Sequence, residues 1–87
     1  MIKKMLEMYF NYYYMFYYNL ERLNNLSFTP GEKETINNAN KMYVDKISVI
    51  KEVFENCCTY SLTSKLPELR NKAAKQAKAN FNKNYNF

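Results

Sequence analysis

The chain reads as all-α: an antiparallel hairpin of two long helices plus a shorter, basic C-terminal helix, three-helix bundle-like and expected to self-associate. Three observations predict this. Residues 8–20 (MYFNYYYMFYYNL) contain no charge and eight Tyr or Phe, with charged residues held to either end. Thr29-Pro30-Gly31-Glu32 is a strong helix-start signal. One Gly and two Pro in 87 residues are too few turn-formers for a fold of many short strands. A chain of this length is expected to make one domain, spanning 1–87.

The first helix is expected over about residues 2–24. Ile2, Met5, Leu6, Tyr9, Tyr13, Phe16, Leu20 and Leu23 fall on one face when residues are spaced at the helical angle, the stripe by which a helix docks onto a core. Phe10, Tyr14, Tyr17 and Tyr18 recur on roughly the opposite side, and Met8, Tyr12 and Met15 fill a flank between. A helix apolar around its whole circumference is normally buried all round, and so short a chain has little core to surround it. Tyr combines a large apolar ring with a polar tip and is enriched in binding hot spots. The second face, anchored by Phe10, Tyr14, Tyr17 and Tyr18, is therefore the candidate partner-binding surface; the plain alternative is that these rings only cover the fold. Asn24 and Asn25 suit a helix end, because Asn tolerates the left-handed conformation.

The second helix should run from Pro30 to about residue 58. Thr29 caps it, Pro30 takes the first helical position and Glu32 completes a capping box. Its core stripe is read as Ile36, Ala39, Tyr43, Ile47, Ile50, Phe54 and Cys57, with charged residues turned elsewhere and Met42, Val49 and Val53 as a weaker apolar edge. Residues 59–64 (TYSLTS) read as a break. The third helix is expected over about 65–80, starting near Ser64 to Pro67 because Pro is tolerated in a first turn. Leu66, Leu69, Ala73, Ala77 and Phe81 share one side, and Lys65, Lys72, Lys75, Lys78 and Lys83 the other. Arg70 lies near the apolar side and should extend past it or find an acid. Residues 82–87 should fray unless Tyr85 and Phe87 anchor them.

The charge is unevenly placed. Residues 1–64 carry seven basic and seven acidic side chains, so the net +5 sits wholly in residues 65–87. A lysine face there (Lys72, Lys75, Lys78, Lys83) followed by aromatic residues can neutralise phosphates and stack on unpaired bases, or meet an acidic protein surface. Arg, which grips phosphates and base edges in a fork, occurs only twice.

Several chemistries are excluded. Without His there is no triad and no commonest general base. The only cysteines, Cys57 and Cys58, are adjacent, which suits neither a disulfide framework nor a zinc site and fits small buried hydrophobes better. A single Gly rules out a phosphate-cradling loop. Glu52 and Glu55 read as solvated helix charges. No enzymatic activity, cofactor or metal is expected.

The aromatic run is shorter than the roughly 20 apolar residues a membrane span needs and is interrupted by Asn11 and Asn19. Glu7 interrupts any secretory pattern. An intracellular compartment is therefore expected. The abundance of Asn, Lys, Tyr and Phe, all AT-rich in codon, points to a low-GC genome. Together these features predict a small binding protein that masks or bridges a protein partner or a second copy of itself, as accessory proteins and inhibitors of phages and mobile elements do. A nucleic-acid-associated protein is the alternative, and a structural subunit of a larger or membrane-associated assembly a third.

Overall fold

A computed structural model describes residues 2–57 and 61–85. Within them lie three helices: α1 (Ile2–Asn25), α2 (Pro30–Cys57) and α3 (Ser61–Tyr85). The fold is all-α and three-helix bundle-like, with α1 between the other two.

The connection between α1 and α2 is defined by its caps. Asn25 Nδ2 donates to the Glu21 carbonyl at 2.9 Å, and Leu26 N–H closes the helix on the Arg22 carbonyl at 2.9 Å. The capping box then forms reciprocally. Glu32 N–H donates to the Thr29 hydroxyl at 3.2 Å, and Thr29 N–H donates to the Glu32 carboxylate at 3.0 Å. These bonds, the backbone one first, hold the Glu32 carboxyl below its ordinary pKa.

α1 and α2 pack along a seam of alternating four- and three-residue steps, the pattern of an antiparallel coiled coil. On α2 the seam is Ile36, Asn40, Tyr43, Ile47, Ile50 and Phe54, all buried except the half-buried Tyr43. On α1 it is Met5, Tyr9, Tyr12, Phe16, Asn19 and Leu23, of which Tyr9 and Asn19 are fully buried. This corrects two sequence expectations. Asn40 takes the core position expected for Ala39, and Tyr12 and Asn19 join the docking stripe. The reason is a buried amide pair: Asn19 Nδ2 donates to Asn40 Oδ1 at 2.9 Å, and Asn40 Nδ2 donates to the Phe16 carbonyl at 3.4 Å. Paired in this way, two polar side chains enter a core without the cost of an unmet hydrogen bond.

α3 packs differently. Leu69, Ala73, Ala77, Phe81 and Tyr85 on α3 and Leu6, Phe10, Tyr14, Tyr18 and Arg22 on α1 each step by four, and contacts run from Phe10–Lys72 through Tyr14–Asn80 to Tyr18–Phe81, so the two helices stay together over much of their length. Ala73 and Ala77 are completely buried, and their small size lets the two backbones approach. α3 starts against the end of α2, where Leu66 joins Tyr9, Ile47, Ile50 and Phe54 in the core cluster. It then crosses along α1, so that α2 and α3 share much less surface with each other than either shares with α1. The body measures 43 × 25 × 17 Å, wider than it is thick.

The third helix is not the short one expected. It has 25 residues against 24 in α1, begins at Ser61 and carries Pro67 inside it rather than in its first turn. Pro67 cannot donate to the carbonyl of residue 63, and the burial of neighbouring Leu66 offsets that loss. At the other end α3 continues to Tyr85, whose ring lies 4.8 Å from that of Phe81. The side chains of Cys57 and Cys58 and the anchoring role of Phe87 fall outside the described residues.

Candidate contact site

The position of α1 decides what becomes of its encircling aromatics. From Tyr12 to Tyr18 every residue is half-buried: flanked by two helices, and enclosed by neither. α3 covers the side carrying Phe10, Tyr14 and Tyr18. The Lys72 ammonium sits 5.6 Å from the Phe10 ring centroid, Asn80 Nδ2 donates to the Tyr14 hydroxyl at 2.9 Å, and Tyr18 meets Phe81 edge-on at 6.4 Å. Neither Phe10 nor Tyr14 is fully enclosed, and Phe10 still lines an open cleft with Lys3, Leu6 and Leu69.

Tyr17, the fourth expected anchor, faces elsewhere. Because α3 packs chiefly on α1 and shares little surface with α2, a cleft lies between them, floored by α1. The cleft, about 330 Å³, has Tyr13, Phe16 and Tyr17 at its base and Val44, Ile47 and Ser48 on the α2 wall. Its rings brace one another: Tyr13 and Tyr17 stack at 5.8 Å, and Phe16 meets Tyr17 edge-on at 5.3 Å. Such pairs hold rings in fixed orientations at little entropic cost. Lys51 and Arg70 also line it, and an adjoining cleft of about 240 Å³ shares Tyr13, Lys51 and Arg70 and reaches Tyr9 and Pro67. Burial pushes the Tyr9 phenol well above its ordinary pKa, helped by its hydrogen bond with Tyr13 and opposed by nearby Arg70. Arg70 therefore does extend past the apolar side of α3, to the edge of the aromatic floor.

The lysines singled out from sequence are spread over the outside of α3. Lys72, Lys75, Lys78 and Lys83 are all exposed. Lys72 and Lys75 border one shallow surface with Gln76 and Ala79. The structure thus brings Tyr17 together with Tyr13, Phe16, Lys51 and Arg70, a grouping that stripe assignment alone does not reveal. Its signal was the four-residue spacing of the small residues Ala73 and Ala77, which marks the face of α3 that lies on α1.

A second open side carries apolar surface of its own. Tyr12 and Tyr43 meet across the α1–α2 seam at 6.0 Å, and Met42, Val49 and Val53 are exposed along α2. Among the described residues no three of His, Cys, Asp and Glu gather as a metal site, and no helix is long and apolar enough to cross a membrane. Compared with known protein families, curated proteins and solved structures, the chain matches none.

Proposed function

We propose that this protein is a non-catalytic helical binding module that acts by occupancy, masking or bridging a protein partner through the aromatic middle of α1. The observation that carries the reading is the cleft in which Tyr13, Phe16 and Tyr17 stay half-exposed and braced between two helices that do not close over them. Preformed aromatic surface of this kind gives contact area with little side-chain ordering on binding. An inhibitor or accessory role of the phage or mobile-element type is the setting that length and composition favour. The test is a photo-reactive benzoylphenylalanine in place of Tyr17, with the same group in place of Glu34, which is exposed near the start of α2, as control. Protein adducts at position 17 and none at 34 are expected. Equal labelling at both positions, or none at 17, would reject the reading.

A second reading rests on the exposure of Lys72, Lys75, Lys78 and Lys83 on the one helix that carries the whole net charge: contact with the phosphate backbone of a nucleic acid. Such binding should weaken steeply as salt rises and fall with Lys75→Glu plus Lys78→Glu. Persistence of binding through moderate salt would argue against it.

A further inference from the structure

We propose that the cleft between α2 and α3 takes an acidic segment of a partner protein, with an apolar side chain on Tyr13, Phe16 and Tyr17 and its carboxylates on Lys51 and Arg70. This rests on the contact reading above and adds the chemistry of the occupant. Two adjoining clefts share the same two cations and the same tyrosine, and no carboxylate lines either among the described residues. The Tyr9 hydroxyl is buried against Tyr13, which leaves those of Tyr17 and Ser48 to donate. The end of the surface at Lys51 and Arg70 is therefore positive, the complement of an acidic peptide rather than a basic one.

Both cations are free to turn toward a ligand. Arg70 is exposed, and a guanidinium beside tyrosine rings can stack on an aromatic face while gripping a carboxylate with its fork. Lys51 contacts Glu55 at 3.9 Å, the long end of an ion pair, with both side chains about half exposed. A pair this loose and wet is easily exchanged for a carboxylate brought by a partner. A single-stranded nucleic acid is the competing occupant, since bases also stack on tyrosine. It would need a run of cations along its phosphates, whereas the cleft offers two, and Lys72 and Lys75 border other surfaces.

The experiment selects displayed dodecapeptides on the immobilised full-length protein and measures one synthetic representative against variants. Enriched peptides should pair Asp or Glu with Leu, Phe or Trp. Lys51→Glu plus Arg70→Glu should weaken the representative roughly tenfold, and a version carrying Lys for its acidic residues should recover on that variant. Tyr17→Ser should weaken both peptides on their matching proteins. Lys51 and Arg70 are exposed, so charge reversal should leave the helical circular-dichroism spectrum intact. Enriched peptides without acids, or binding indifferent to charge reversal yet lost with Tyr17→Ser, would overturn the acidic occupant and leave the contact reading standing. No enrichment, or binding indifferent to Tyr17→Ser as well, would overturn both. Displacement of the peptide by oligothymidine, with oligothymidine binding lost on Arg70→Glu, would replace the acidic segment with a nucleic acid.

Discussion

Asn19 and Asn40 join α1 to α2 by a hydrogen bond buried in the seam. Asn40→Ala would leave the Asn19 amide buried without that partner, at a cost of about 2 kcal/mol, read as a lower urea midpoint with unchanged slope. Replacing both by Leu should recover much of that stability while loosening register, since a buried polar pair in a coiled-coil seam selects one alignment. Broadened amide resonances along the hairpin would report the loosening. This pair was only partly legible. Asn40 stands four residues after Ile36 and seven before Ile47, which is seam spacing, but in a chain with thirteen Asn polarity argues for solvent. Only the partner across the seam decides the matter. The capping box, by contrast, was fully legible because it is local. Its carboxyl has a depressed pKa when folded, so its stabilising effect is complete above the unfolded value of 4.5 and fades as pH falls through the folded one. Glu32→Gln should flatten that acid limb of the stability profile.

At the scale of the elements, α3 lies on α1 because Ala73 and Ala77 are small. Ala77→Leu should force the helices apart and destabilise by roughly 1–3 kcal/mol, seen as a lower melting temperature. Gly31 has open space where a Cβ would sit, so Gly31→Ala should raise the melting temperature, by about 0.5 kcal/mol of stability. The existence and order of the helices, and the inner face of α3 at Leu66, Ala73, Ala77 and Phe81, followed from periodicity. The length of α3 did not, because Pro67 resembles a first-turn proline and only the packing of Leu66 against Ile50 and Phe54 carries the helix back past it. Nor did the cleft. Tyr13 and Phe16 read as core residues and Tyr17 as surface, whereas a third helix packed chiefly on α1 leaves all three on one shared floor.

For the whole molecule, a helix apolar on every side is accommodated by standing between two others, and the surface they leave uncovered is where association should occur. Val49, 58 % exposed, and Met42, 48 % exposed, lie on the open α2 flank. The sequence predicts self-association through the second face of α1; with α3 over Phe10, Tyr14 and Tyr18, self-association would fall to this flank instead. Sedimentation velocity across a concentration series should then show a species heavier than the monomer, reduced by Val49→Lys; a monomer at every concentration would exclude it.

The two outer helices, which share little surface with each other, are tied together through the middle one. Backbone amides of α1 should therefore exchange with deuterium more slowly than those of either neighbour. Beyond the buried Phe81, α3 should be able to fray and re-form while the hairpin stays shut, giving residues 82–85 faster exchange with no matching change in α2.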